Sequence, residues 1–101
     1  DVALDIRRNS PTFGKWYGIE IDSESKIQLF IPRGFAHGFS VLSDTAIIQY
    51  KIDNTYNKLA DRGIYLNDPD LKIDWKLDGI VPVISEKDMN NPALKDAEIN
   101  F

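Results

Sequence analysis

Few side chains in this sequence could carry chemistry, and only one of them is a histidine. His37 lies in the apolar run Phe30-Ile-Pro-Arg-Gly-Phe-Ala-His-Gly-Phe-Ser-Val-Leu42, which chain-turning residues close on both sides. An imidazole titrates near neutral pH, so it is suited to contacting a ligand, but it can equally be a core histidine with one ring nitrogen satisfied. The residues alone leave both interpretations open.

Five other side chains are candidates for a site, namely Arg33, Tyr50, Tyr56, Lys87 and Asp88. Taken singly, each has an ordinary structural explanation. A tyrosine such as Tyr50 is commonly an aromatic at the edge of a core with its hydroxyl hydrogen-bonded. Asp88 follows Ser85 by three residues, in the pattern of a capping box at a helix start.

Several kinds of site are excluded by what the sequence lacks. One histidine and no cysteine cannot complete a histidine–cysteine metal ligand set. No carboxylates are spaced like a calcium loop, and neither a glycine-rich phosphate loop nor a nucleophile elbow is present. We therefore expect no metal site.

Length and charge limit the classes of protein to which this sequence can belong. The 101 residues, 43% hydrophobic and 28% charged, predict one ordinary globular domain spanning residues 1–101. A net charge of -4 argues against a basic surface for nucleic acid. No apolar run approaches the ~20 residues that span a bilayer, so we expect no membrane partner. The absence of cysteine is compatible with a reducing cytoplasmic setting, and we expect the protein there.

The sequence pattern predicts that the elements positioning the candidate site residues are short strands. Residues 1–7 alternate, with Val2, Leu4 and Ile6 on one face, and turn residues such as Pro11 and Gly14 follow. Further strands are predicted over 16–21, 26–31, 35–42, 46–52 and 63–66. Short strands separated by turns, with no helix of ten residues, predict an all-β sandwich or barrel.

Alternation also assigns faces to the strand over 35–42. Phe35, His37, Phe39 and Val41 share one face, and the small residues Ala36, Gly38 and Ser40, with Leu42, share the other. An imidazole among aromatic neighbours on such a strand suits the inner wall of a barrel. We expect His37 and Tyr50 to open into one cavity.

Taken together, these stretches closely resemble the dTDP-4-dehydrorhamnose 3,5-epimerase family. The resemblance rests first on Asp1-Val-Ala-Leu-Asp-Ile-Arg7, Ser10-Pro-Thr-Phe-Gly14 and Ile31-Pro-Arg-Gly-Phe-Ala-His-Gly-Phe-Ser-Val-Leu-Ser43. It continues through Tyr50-Lys51, Tyr56-Asn57, Arg62-Gly63, Asn67-Asp-Pro-Asp-Leu71 and Ser85-Glu-Lys-Asp88. These matches fall in the family's order and cover nearly the whole chain.

The resemblance implies a cupin-type jelly roll, usually a homodimer. It also implies an isomerase that needs no metal or organic cofactor. Its substrate would be a 4-keto-6-deoxyhexose on thymidine diphosphate, epimerised at C3 and C5 by proton removal and return beside the C4 ketone.

The resemblance also implies roles for particular residues. Tyr50 matches the family's proton donor, and Asp88 matches the aspartate that pairs with the catalytic histidine. His37 and Tyr56 match positions of the substrate pocket, and Lys87 is a candidate diphosphate contact. The catalytic histidine itself is not His37, because in the family it belongs to an Arg-Gly-Leu-His motif.

That motif is not in these 101 residues, and the sequence starts within an alternating segment. We therefore expect that an N-terminal part carrying the base, and a family lysine near the enolate oxygen, is missing. This fragment alone would then be inactive. The alternative is a non-catalytic cupin module that binds a nucleotide sugar.

Overall fold

The computed structural model describes residues 1–52, 62–79 and 81–99. In these residues regular structure consists of three short strands, one helical turn and one 3₁₀ turn. They are β1 (Val2–Asp5), β2 (Trp16–Gly18), β3 (Phe35–Gly38), α1 (Glu86–Met89) and the 3₁₀ turn Leu94–Asp96. No helix of the described part is long and apolar enough to cross a membrane.

The strands form one antiparallel sheet with β1 in the centre, in the order β2-β1-β3. Leu4 lies opposite Trp16 on β2 and opposite Ala36 on β3. Since directly opposed residues in an antiparallel pair point to the same side, these three side chains share one face. The antiparallel sheet and the small helix content confirm the predicted all-β class.

The core lies against that face of the sheet. Its buried centre consists of Leu4, Leu71 and Leu94. Trp16 packs against this centre and donates its indole N–H to the carbonyl oxygen of Leu71 at 3.0 Å. The predicted burial of Val2 and Leu4 is confirmed, with exposures of 5% and 4%. Burying a leucine side chain contributes about 1.5–3 kcal/mol, so these contacts anchor the sheet.

Other strand predictions are wrong in extent. Strands predicted over 16–21 and 35–42 end at Gly18 and Gly38. Within the described residues, segments 26–31, 46–52 and 63–66 form no regular strand. Alternation along a segment is a local property, whereas a ladder also needs a neighbouring strand, and these segments find none in the described chain.

The buried carboxylate of Asp5 organises the loop that follows β1. Only 1% of Asp5 is exposed. It accepts hydrogen bonds from the Arg7 backbone N–H and guanidinium at 2.9–3.0 Å, and from the hydroxyls of Ser10 and Thr12. These donors, with the Arg7 guanidinium first, hold the pKa of the Asp5 carboxyl well below its usual range. The Ser-Pro-Thr segment is thereby tied to the sheet.

Arg7 connects the hydrogen bonds of the Asp5 carboxylate to the start of β3. Its guanidinium lies 4.9 Å from the centre of the Phe35 ring, and its alkyl stem crosses Gly34. Gly34 has a φ of +86°, and a Cβ placed there would lie 2.5 Å from Arg7 Cγ. The amide of Ile6 also donates to the Gly34 carbonyl at 3.0 Å. Glycine is therefore required here both for the left-handed turn and for the passage of Arg7.

A second buried carboxylate, Asp68, fixes the later part of the chain. Only 2% of it is exposed. It accepts from the Asp70 amide at 2.9 Å and from the Leu94 amide at 2.7 Å. The Asn-Asp-Pro-Asp turn is thus joined to the segment that follows α1.

We predict that Gly34→Ala destabilises the protein more than Gly79→Ala. Gly79 also has a positive φ, +83°, but among the described residues no atom beyond its chain neighbours lies within 4 Å of its added Cβ. Both substitutions incur the left-handed backbone cost of roughly 1–2 kcal/mol, and only Gly34→Ala displaces Arg7. Urea unfolding of the two variants measures the difference. Equal losses would show that the passage of Arg7 over Gly34 is unimportant.

We predict that Asp5 makes stability fall in acid. Because its pKa is depressed in the folded state, the stabilisation is present above the unfolded carboxyl value of about 3.9 and is lost as the pH falls below it. Asp5→Asn should lower the free energy of unfolding at pH 7, and the gap from the unaltered protein should narrow towards pH 3. A gap that stays constant between pH 7 and pH 3 would contradict this role of the charge.

Candidate active-site face

The sheet face opposite the core carries the candidate site. His37 on β3 and Tyr17 on β2 both lie opposite Ala3 of β1. Asp1 precedes Ala3 by two residues, which places it on the same side because side chains alternate along a strand. The central strand therefore separates the leucine core from a polar and aromatic face.

His37 pairs with Asp1 on this face. The imidazole Nε2 is hydrogen-bonded to Asp1 Oδ1, and each of the two side chains is 25% exposed. In the neutral ring this bond puts the hydrogen on Nε2 and leaves Nδ1 as an acceptor. His37 is therefore a partly exposed residue outside the leucine core.

Opposing influences act on the pKa of His37. Burial lowers the pKa from its ordinary value. The adjoining carboxylate of Asp1 acts in the other sense, because an opposite charge favours the imidazolium form.

Two aromatic rings surround His37. Tyr50 meets it edge-to-face with ring centres 6.0 Å apart, and Phe39 lies tilted at 6.2 Å. Tyr50 is 58% exposed, so its hydroxyl-bearing ring meets the imidazole at an open surface. The structure brings the rings of His37 and Tyr50 into contact, whereas their opening into one cavity stays a prediction.

Asp88 and Lys87 lie on α1, away from the His37 pair. The Ser85 hydroxyl caps this turn by accepting from the Asp88 amide at 3.1 Å, as the capping pattern predicts. Both residues are exposed. Within the described residues, no hydrogen bond or ion pair joins Asp88 to His37 or Tyr50. Tyr56, the remaining candidate, lies outside the described residues.

Arg33 belongs to a different surface. It lines an open depression together with Arg7, Ser10 and Thr12, beside the Asp5 network. In the parts of the chain that are described, no three histidine or carboxylate side chains gather as a metal site would require. The chemistry available on the His37 face is therefore that of a carboxylate, an imidazole and a phenol.

Sequence reasoning missed Asp1 as a member of the site. The sequence places Asp1 two residues before Ala3 and hence on the same face of the strand. Its contact with His37, however, follows only from the antiparallel register of β1 against β3. Asp5 was likewise not singled out, although a carboxylate two residues before an arginine in a buried strand is a signal for an internal ion pair.

Comparison with known proteins defines the class. The sequence profile described as dTDP-4-dehydrorhamnose 3,5-epimerase matches residues 1–96. The curated enzyme of that name from Shigella flexneri is 50% identical over 98 residues, which is 97% of this chain and 53% of the relative. The one from Methanothermobacter thermautotrophicus is 46% identical over 97 residues, or 95% of this chain and 52% of the relative.

Solved structures indicate the same family as the sequence comparisons. The dTDP-4-dehydrorhamnose 3,5-epimerase of Elizabethkingia anophelis superposes with a TM-score of 0.86 at 55% identity, covering 94% of this chain and 52% of that one. The dTDP-6-deoxy-D-glucose-3,5-epimerase of Legionella pneumophila, solved in complex with dTDP-4-keto-L-rhamnose, gives 0.81 at 40% identity, covering 94% and 50%.

This chain belongs to the dTDP-4-dehydrorhamnose 3,5-epimerase family. It spans about half the length of the curated relatives it matches. The cupin-type jelly-roll class predicted from the resemblance is confirmed by the superposition on solved members.

Proposed function

We propose that the protein containing this chain epimerises dTDP-4-dehydro-6-deoxy-D-glucose at C3 and C5, giving dTDP-4-dehydro-L-rhamnose. The observation that carries the proposal is the exposed ring of Tyr50 set 6.0 Å from His37, itself paired with Asp1. Family membership supplies the substrate class. The structure solved with dTDP-4-keto-L-rhamnose is of a relative 40% identical to this chain.

The reaction is proton removal and return beside a ketone. The C4 carbonyl acidifies the hydrogens on C3 and C5. A base removes one of them, the electron pair passes into the carbonyl to form an enolate, and a proton returns to the carbon from the opposite face. The number of protons is unchanged at each carbon, so neither a metal nor an organic cofactor is required by the balance.

Tyr50 is assigned as the acid that returns the proton. The phenol of a tyrosine carries an O–H that can be donated. Its exposure on the face opposite the core lets it reach a sugar ring. A general acid has to lie within hydrogen-bond reach of the carbon it protonates, and an open, solvent-facing ring is suited to this.

His37, Tyr56 and Lys87 are assigned to substrate binding. With Nε2 bonded to Asp1, the Nδ1 of a neutral His37 ring can accept a hydrogen bond from a sugar hydroxyl. Tyr56 would provide an aromatic wall, and Lys87 on exposed α1 a cation for the diphosphate. These three assignments rest on the family pattern.

Asp88 is assigned to orienting the catalytic base. The resemblance gives that base as a histidine outside these 101 residues. A carboxylate hydrogen-bonded to such an imidazole holds its tautomer and stabilises the imidazolium formed on proton removal. The Ser85 cap fixes the backbone from which Asp88 projects.

Isotope exchange tests the proposed reaction. The intact protein would be incubated in D₂O with the dTDP-linked 4-keto-6-deoxyhexose, and the sugar followed by proton NMR. Loss of both the C3 and C5 proton signals with formation of the L-rhamno product supports the proposal. Binding without exchange would instead favour a non-catalytic nucleotide-sugar-binding module.

We predict that Tyr50→Phe lowers kcat by about 10²–10⁴, the usual contribution of a positioned acid. The phenylalanine ring keeps its contact with His37, so substrate binding should remain. Exchange of the substrate's α-protons with solvent should persist, because the base is unaltered.

Tyr65→Phe is the matched control, since Tyr65 is a half-buried tyrosine outside the sheet that carries His37. It should leave kcat unchanged. If Tyr50→Phe turns over normally and loses only stability, roughly 1 kcal/mol for one hydrogen bond, Tyr50 has no part in the mechanism.

We further propose that the protein is a homodimer located in the cytoplasm. The family resemblance supports a dimer, and this chain, which spans about half the length of its relatives, leaves apolar surface uncovered in segments 27–52 and 81–83. Phe30 is 85% exposed, and Ile47 and Val83 are fully exposed. Single exposed apolar residues are ordinary, but a concentration of this kind marks an interaction surface.

We predict that Ile47→Asp weakens self-association of the intact protein. An uncompensated charge in an apolar interface is strongly unfavourable, whereas Lys95→Asp at an exposed site of the 3₁₀ turn should have no effect. Sedimentation equilibrium at micromolar concentration would measure both. A stable, well-folded monomer in the unaltered protein would contradict the dimer.

A further inference from the structure

Trp75 lies directly behind β3, on the side of the sheet opposite the imidazole of His37. Gly38, which follows His37, points to the same side as Ala36 because side chains alternate along the strand. A Cβ placed at Gly38 would lie 2.9 Å from Cη2 of the Trp75 indole. The ring therefore packs against the bare backbone of the residue next to His37.

Hydrogen bonds hold both the ring and the backbone of Trp75. The indole Nε1–H donates to the carbonyl oxygen of Leu66 at 2.9 Å. The hydroxyl of Ser40, two residues beyond Gly38, donates to the carbonyl oxygen of Trp75 at 2.7 Å. The tryptophan is thus a fixed support that contacts the chain on the C-terminal side of His37.

In the described chain β3 is held by one neighbouring strand, and Trp75 adds a contact from behind. The hydrogen-bonded partner of β3 is β1, with Val2 opposite Gly38 at the end of the ladder. Beyond Gly38 the described chain forms no regular strand up to residue 52. The position of His37 near this end therefore depends on packing from behind.

We propose that Trp75 is a positioning residue that sets the affinity for the nucleotide sugar by fixing His37. The inference rests on the proposed function, since it takes His37 as a substrate-binding side chain. The contacts involved are the packing of Trp75 on Gly38 and the Ser40 hydrogen bond.

Such a role affects binding more than turnover. In this role His37 binds the substrate but does not transfer the proton. Its displacement therefore weakens binding of the ground state and of the transition state equally. A loss of uniform binding raises KM and leaves kcat unchanged. The loss of the proton donor Tyr50 would produce the opposite pattern.

The experiment compares three variants of the intact protein. Trp75→Phe removes the indole N–H and part of the contact with Gly38. Ser40→Ala removes the tie to the Trp75 carbonyl and is the milder change. Trp16→Phe is the matched control, because Trp16 also donates an indole N–H to a backbone carbonyl, that of Leu71, at 3.0 Å but packs against the buried leucine cluster.

We predict that Trp75→Phe and Ser40→Ala each raise KM at least about threefold, the effect of one lost hydrogen bond, with kcat within about twofold. Trp16→Phe should lower stability and leave KM unchanged. An unchanged KM in Ser40→Ala and in folded Trp75→Phe would overturn the inference. So would an equal rise in KM in Trp16→Phe, which would indicate a general structural effect.

A second readout separates this inference from the proposed function. The imidazole signal of His37, assigned by its loss in His37→Asn, would be titrated by NMR in each variant; Asp1 is the charged group beside it. If the unaltered protein shows no epimerase activity, the proposed function fails. The positioning role still stands if the His37 titration moves in Trp75→Phe and Ser40→Ala but not in Trp16→Phe, and it fails if none moves.

Discussion

The rest of this structure depends on one ion pair, between the buried carboxylate of Asp5 and the half-exposed guanidinium of Arg7. A carboxylate with 1% exposure is tolerable only when its charge is compensated, and Asp5 has five donors: three N–H groups of Arg7 and the hydroxyls of Ser10 and Thr12. The pair closes the loop after β1. Through the Arg7 stem and its contact with Phe35, it also sets the start of β3.

The consequence for function is geometric. β1 is the central strand, so its two faces divide the protein into a leucine core and a face that carries His37. The Asp5 pair fixes β3 at its first residue, and Trp75 supports it behind Gly38. A side chain with two anchored flanks loses less conformational entropy on binding a ligand. Both anchors lie outside the site itself.

The candidate chemistry is divided between separate parts of the chain. His37 and Tyr50 meet on the sheet face, whereas Lys87 and Asp88 lie on the capped turn α1. The segment 66–75 connects with both regions, since Trp75 packs on β3 and Asp68 binds the amide of Leu94 beyond α1. This connection gives the Asn-Asp-Pro-Asp stretch a structural purpose independent of any contact with substrate.

The sequence by itself determined the all-β class, the buried side of β1 and the Ser85 cap, because alternation and capping depend on neighbours within a few residues. The family was identified from the resemblance, and the comparisons show that the chain belongs to it. Only the tertiary structure decided that Asp1 pairs with His37, that Tyr50 stands beside it, and that residues 26–31 and 46–52 lack ladder partners in the described chain. Each of these depends on which distant segments meet, and strand register and packing are set by the whole fold.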